Sequence, residues 1–294
     1  MNEPLVTIII PAFNRASLIV ETLDSVRDQD HRAIELIVVD DGSTDATAGR
    51  VEEWIGQNKE RFTDVSLHSF SVNRGKSEAV NEGFTVAHGD FVMVLDSDDV
   101  LLPHAISTEI QFFRDHPEVD AVFGGAFMLD NRTRTEILVH TTQHSPSFTD
   151  VRVSYGDLLL KGNCIVASTV MMKRSVIQAV GGFKKGLRYT HDLEYWVRIC
   201  KDHNFGYVAQ PVLYYRMNVG DGSSLHLRKT FREIRGLLGE RTDEYSFRSM
   251  VRAIMFLTKF HIVGSFARRS VMQSILIAAD GGTSLVKYVL FHRV

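Results

Sequence analysis

The sequence predicts an α/β fold with a mainly parallel central sheet flanked by helices. Three observations carry that expectation. Short β-branched apolar runs recur through the first third of the chain and alternate with stretches of helical period, the trace left by βαβ units. The runs are almost continuously apolar, as strands covered on both faces are. Three of them end in residues that carry chemistry: Pro11-Ala12-Phe13-Asn14-Arg15, Asp40-Asp41-Gly42 and Asp96-Ser97-Asp98-Asp99. In open α/β sheets ligands bind beyond the carboxyl ends of the strands, so these three ends can share one crevice.

Residues 5–10 give the first strand, with Pro11 expected to stop it because it has no N–H for a ladder. Ser17 is placed to cap a helix on which Leu18, Leu23 and Val26 keep a partly helical period. Residues 34–39 read as the second strand, 46–57 as a helix and 65–70 as the third strand. Asn73-Arg74-Gly75-Lys76-Ser77 is a glycine turn into a helix over 78–87, and 91–95 is a buried strand after Gly89. Leu101, Leu102 and Pro103 read as the entry to a helix that His116-Pro117-Glu118 interrupts. Further strands are expected at 119–123, 165–173 and 212–216, and a polar edge hairpin or loop at 133–147. A short helix leads to Gly181-Gly182-Phe183. Leu193, Trp196, Val197 and Cys200 then mark a helix with Asp192 near its start.

At 294 residues, 44% hydrophobic and 23% charged, the chain can form one domain, or one domain with an extension. A net charge of −3 gives no global pull towards nucleic acid. Two cysteines, Cys164 and Cys200, imply neither a disulfide framework nor a cysteine zinc site and suit a reducing, cytoplasmic setting. Met1-Asn2-Glu3-Pro4 has no basic region followed by an apolar core, so no signal peptide is expected. No uncharged apolar run reaches the ~18 residues that span a bilayer. No Gly-x-Gly-x-x-Gly follows the first strand. Gly75-Lys76-Ser77 lacks the preceding glycine of a P-loop.

Asp96, Asp98 and Asp99 crowd three carboxylates into four positions at the end of a buried strand. At strand spacing Asp96 and Asp98 point the same way. Such crowding is costly unless a cation joins the group, and hard oxygen ligands suit Mn²⁺ or Mg²⁺ together with substrate phosphates. On the triplet alone a second reading stands beside this one: a helix cap and polar turn, for which Asp and Ser are common.

Taken together, Pro11-Ala12-Phe13-Asn14-Arg15, Val38-Val39-Asp40-Asp41-Gly42-Ser43-Thr44-Asp45, Asn73-Arg74-Gly75 with Asn81, and Leu95-Asp96-Ser97-Asp98-Asp99 resemble family 2 glycosyltransferases in order and spacing. The resemblance covers residues 4–225. It implies a GT-A fold and an inverting transfer from a nucleotide-diphospho-sugar, expected to be a UDP-sugar. The acceptor would be a saccharide or lipid-linked saccharide in cell-surface polysaccharide or glycolipid synthesis. It tips the aspartate triplet towards metal. Asp41 is implied at the nucleobase, with Asp40 organising the turn or touching the ligand, and Pro11, Ala12 and Phe13 lining the base or ribose pocket. Arg15, Arg74 and Lys76 are candidates for the nucleotide, each with a plain surface role as the alternative. Asp96 would contact ribose or metal, Ser97 belongs to the nucleotide side, Asp98 is the main metal ligand, and Asp99 supports them.

The same resemblance makes Asp192 the general base for the acceptor hydroxyl. His191 stands where the family carries Glu, a helix N-cap is the competing role for Asp192, and Glu194 is the fallback base. Arg216 matches a Tyr-Arg element that closes over the diphosphate. Asn218 stands where a metal-binding His is usual, which leaves Asn218 or His226 as replacement, and residues 220–224 look suited to a loop that orders over the donor. The expected division is 1–225 catalytic, with a nucleotide-binding half over 1–100 and an acceptor-binding half over 101–225, and a helical extension over 226–294. From Arg248 to the end, seven basic residues face one acidic residue, Asp280. This suits either peripheral contact with an anionic membrane face or packing on the catalytic domain or a second copy. Two alternatives to the transferase remain: an inactive nucleotide-sugar-binding module and a nucleotidyltransferase.

Overall fold

The computed structural model describes residues 3–130, 136–139, 165–217 and 227–239. Among them, nine strands form one sheet: β1 (Val6–Ala12), β2 (Ile34–Asp40), β3 (Asp64–Ser69), β4 (Phe91–Val94), β5 (Val100–Leu101), β6 (Ala121–Asp130), β7 (Glu136–Val139), β8 (Val170–Lys173) and β9 (Phe205–Met217). The helices are α1 (Ile19–Arg27), α2 (Thr47–Asn58), α3 (Lys76–Val86), α4 (Ala105–Asp115), α5 (Arg174–Val180), α6 (His191–Asp202) and α7 (Leu227–Gly239). The chain divides into two compact units. The first, Met1–Val153, Cys164–Gly186 and Arg198–Val219, carries the sheet; the second is Ser154–Asn163, Leu187–Val197 and Gly220–Val294. Among the described residues no helix is long and apolar enough to cross a membrane.

The sheet runs β3-β2-β1-β4-β8-β6-β9-β5, with β7 paired to β6. From β3 to β4 every pairing is parallel, and β1 and β2 are buried at all positions, which is why they read as nearly continuous apolar runs; Glu35, the charge inside β2, accepts from the Thr7 hydroxyl and the His88 N–H. Val6, Ile8 and Ile10 share a core with Leu23 and Val26 of α1 and Ile110 of α4. Ile9 joins Ile37, Val39 and Val92 in a second core with Ala79 of α3, as the period of two requires. Beyond β4 the sheet is mixed. β8 is antiparallel to β4 and β6, while β9 is parallel to β6 and antiparallel to β5.

Several boundaries differ from expectation for physical reasons. Pro11 stays inside β1, because β4 ends opposite Ile9 and leaves only the β2 side of that position in the ladder. Val100 and Leu101 form a short strand on β9 and not a helix start; α4 begins at Ala105, beyond Pro103. α3 starts at Lys76, directly after Gly75 at φ 92. β8 starts at Val170 because a 3₁₀ turn over Ala167–Thr169 takes up the residues before it. β7 pairs antiparallel with β6, inside the stretch over 133–147 expected as an edge hairpin or loop. Residues 131–135, 140–164, 218–226 and 240–294 lie outside the described residues, and with them Asn163, Asn218, residues 220–224, His226 and the basic C-terminal stretch.

Candidate active site

The loop after β1 is pinned to the loop after β2. The N–H of Asn14, a residue at φ 53, donates to Ser43 Oγ (2.9 Å), and Asn14 Oδ1 accepts the Thr44 N–H (2.9 Å). The Arg15 N–H donates to Thr47 Oγ1 (2.8 Å) and the Asp41 N–H to the Ala12 carbonyl (2.8 Å). Pro11 and Ala12 are thereby buried, while the Phe13 ring stays 40% exposed beside them. Gly42, at φ 71, lets the turn over 73–75 close on this rim: a Cβ there would lie 2.5 Å from the Val72 carbonyl carbon.

Asp41 is the hub of that closure. Its Oδ1 accepts the Arg74 N–H (2.6 Å), and its Oδ2 accepts the Gly75 N–H and Asn73 Nδ2, both at 2.9 Å. Burial pushes its pKa up, against the pull of the Arg74 and Gly75 N–H groups. Asp40 Oδ2 accepts the Ser43 N–H at 3.2 Å, a bond that holds the turn. Arg74 serves through its backbone; its guanidinium lies 4.4 Å from the centre of the Phe70 ring. Asn81 ties α3 to the Gly182–Phe183 turn by accepting the Phe183 N–H (2.7 Å) and donating to its carbonyl (2.9 Å).

One residue beyond Gly75, Lys76 forms an ion pair with Asp96, and Arg15 Nε lies 3.5 Å from Asp98 Oδ2. Asp41, Lys76, Asp96, Asp98 and Arg15 are therefore successive links of one rim. Asp96, Asp98 and Asp99 each offer an oxygen, all within 4.8 Å of one another. Burial, then the Asp96 charge, raises the pKa of Asp98, with Arg15 and Lys76 pulling the other way. Asp99 is 1% exposed, and burial followed by both neighbouring aspartates pushes it well above the usual carboxylate range. The donor set fits a divalent cation: hard oxygens, close together, whose joint ionisation is costly without positive charge. Ser97 is buried between them.

The rear of this turn depends on residues the local sequence does not announce. Ser168 donates to Asp99 Oδ2 (2.6 Å) and accepts the Asp96 N–H (3.1 Å). Arg216, expected over the diphosphate, gives its backbone N–H to Asp99 Oδ1 (3.0 Å) and its Nε to the Asp98 carbonyl (2.8 Å), while Nη2 pairs with Glu21 at 2.5 Å. Here it braces the aspartate turn. In the second unit, Asp192 is the second residue of α6, partly exposed, and its Oδ1 accepts the Leu193 N–H (2.8 Å). Glu194 is 3% exposed and lies on the same turn.

The chain is similar to proteins of known kind. An uncharacterized glycosyltransferase of Rickettsia prowazekii is 28% identical over 245 residues, 83% of this chain and 71% of the relative. Among solved structures, S. aureus TarS 1–349 in complex with UDP-GlcNAc superposes with a TM-score of 0.68 at 17% identity, over 96% of this chain and 81% of that one. The mannosyltransferase PcManGT from Pyrobaculum calidifontis, in complex with GDP-Man and Mn²⁺, superposes with a TM-score of 0.65 at 19% identity, over 99% and 84%. These likenesses establish a GT-A fold. The family model for glycosyl transferase family 2 matches residues 7–181, a span that takes in Asp41, the turn after Val72, Lys76 and the aspartate triplet. More than half of the sequence thus conforms to one family, with every link of the rim inside the match, and the chain belongs to glycosyl transferase family 2.

Proposed function

We propose that this glycosyltransferase inverts the anomeric centre of a UDP-sugar and passes the sugar to a hydroxyl of a saccharide, free or lipid-linked. One observation carries the reading: three carboxylates offering oxygens within 4.8 Å of one another, on the rim that also holds Asp41, Lys76 and Arg15. Asp41, fixed by three N–H donors, is a rigid acceptor for the ring N–H of a nucleobase, with Phe13 exposed nearby for ring contact. Arg15 and Lys76 bring positive charge to the edge where a diphosphate would lie. Asp98 and Asp96 are the residues to hold Mn²⁺ or Mg²⁺, which when bound supplies charge compensation for the departing diphosphate. Asp192 takes the proton of the acceptor hydroxyl as that oxygen bonds to the anomeric carbon. The bond from that carbon to the diphosphate breaks on the opposite face, and the nucleoside diphosphate leaves with the electron pair. Family membership and the nucleotide-sugar complexes of the two structural neighbours support this assignment.

A thermal-shift panel of UDP-, GDP- and dTDP-sugars with and without Mn²⁺ tests it. The expected outcome is a Mn²⁺-dependent rise with a UDP-sugar, lost in Asp98→Ala, and kept in Asp192→Ala with donor turnover abolished. No shift with any donor, or full turnover by Asp192→Ala, refutes the proposal.

A further inference from the structure

Helix α6 carries Asp192 at its second position, so the carboxyl is aimed by how the helix begins. The first turn of any helix exposes N–H groups with no intrahelical partner, and its direction is set by whatever holds the entering chain. Here the Glu194 N–H bonds the Thr190 carbonyl (3.0 Å), which makes Thr190 the hinge between loop and helix. The loop before it is held by one side chain from α7. Glu233 Oε2 accepts the Tyr189 N–H (2.9 Å), the Thr190 N–H (3.0 Å) and the Thr190 hydroxyl (2.9 Å), while Oε1 accepts the Arg188 N–H (3.2 Å). Four donors from three consecutive residues thus converge on a single carboxylate, all within the second unit.

Hydrogen bonds to an ionised acceptor are roughly twice as strong as neutral ones, and a negative charge before a helix N-terminus also complements its dipole. α7 is anchored in turn by Ile234 and Leu237, both buried, and Lys229 Nζ lies 5.9 Å from the centre of the Tyr189 ring. Thr190 and Tyr189 are 2% and 9% exposed, so water cannot readily replace the carboxylate if it is removed.

We propose that Glu233 is a positioning residue for Asp192: its carboxylate fixes residues 188–190, and through Thr190 it sets the first turn of α6 that presents the base. This rests on the reading of Asp192 as general base. It gives α7, in the segment beyond the family match, a defined part in the transfer step. Misplacing a reacting group by about 1 Å can cost about 100-fold in rate.

The test uses the full chain with whichever of UDP-GlcNAc, UDP-glucose, GDP-mannose and dTDP-glucose gives the largest Mn²⁺-dependent thermal shift. It follows nucleoside diphosphate release and, by calorimetry, donor affinity. Glu233→Ala is expected to lower kcat about 10- to 100-fold with donor Kd within about twofold. Glu233→Gln, which keeps one carbonyl acceptor, is expected to fall between Glu233→Ala and wild type. Adding Glu233→Ala to Asp192→Asn is expected to cost nothing further, because both act on one group. Wild-type kcat in Glu233→Ala, a loss additive to that of Asp192→Asn, or a parallel loss of donor affinity overturns the positioning role while leaving the base assignment intact. Wild-type turnover by Asp192→Asn overturns the base assignment, and the positioning role with it. Should Glu233→Ala fail to fold, the same measurements on Glu233→Gln decide.

Discussion

Glu109 offers a test of the core that is independent of catalysis. It lies on the buried stripe of α4 with Ala105, Ile106, Ile110 and Phe113, is 0% exposed, and neither carboxylate oxygen has a hydrogen-bond partner among the described residues. Burial alone pushes its pKa well above the usual 4.5. The folded chain therefore keeps a proton that the unfolded chain releases. Above about pH 4.5 the unfolded state binds fewer protons, so stability falls by up to about 1.4 kcal/mol per pH unit until Glu109 itself ionises. Even uncharged, a buried carboxyl without partners costs about 1–3 kcal/mol. Glu109→Met, similar in length and apolar, should therefore stabilise the protein by about 1–3 kcal/mol at pH 5. Its advantage over wild type should widen as pH rises. Urea melts of both proteins at about pH 5, 6.5 and 8 read this directly, since titration of all other groups cancels in the difference. In heating scans the gain corresponds to about 2–4 °C per kcal/mol. A variant less stable than wild type, with a gap that does not move with pH, would mean Glu109 is charged and paired, and the reasoning fails.

Three further substitutions probe the frame of the site. Gly42→Ala forces a side chain into a left-handed residue and against the Val72 backbone, and should cost about 1–3 kcal/mol together with the donor-induced thermal shift; a retained shift would separate this turn from the nucleotide site. Arg61 donates to the carbonyls of Arg27, Gln29, His31 and Arg32. Arg61→Lys cannot span all four and should lower stability by about 1–3 kcal/mol in urea melts, whereas an unchanged midpoint would make that clasp ornamental. Ser168→Ala leaves the Asp96 N–H and Asp99 each short of a partner, and should weaken Mn²⁺-dependent donor binding about 10- to 100-fold; unchanged Mn²⁺ dependence would show that Asp99 needs no such support.

The parallel half of the sheet was legible because its signal is local. β1, β2 and β4 are largely apolar and rich in β-branched residues over their own length. What sequence reading missed is what neighbours decide. Val100 and Leu101 form β5 only because Tyr214 and Leu213 lie opposite, with the Leu101 N–H taken by Ser25 Oγ (3.1 Å). Two residues carry no periodicity of their own. β9 runs from Phe205 through Met217, well before the expected 212–216, because β6 pairs along its whole length across two register shifts at Gly124 and Gly125.

The same division runs through the site, and it decides which residues a motif can reveal. Asp96, Asp98 and Asp99 lie within four positions of sequence, so their mutual repulsion can be read from the string. Lys76 can be found as a charge beside a glycine, but its pairing with Asp96 requires the two turns to meet. Ser168, Glu21 and Glu233 are isolated polar residues whose importance lies wholly in what they face. Asp99 is buried among donors, yet no rule of spacing says they come from a turn 69 positions later and a strand 117 positions later. Arg216 shows the consequence. The motif brings an arginine to this end of the sheet, and the tertiary contacts spend its side chain on Glu21 and the Asp98 carbonyl. The candidate ligand groups are thus visible in short words of sequence, whereas the groups that brace them are recruited from wherever the fold brings a polar atom within reach.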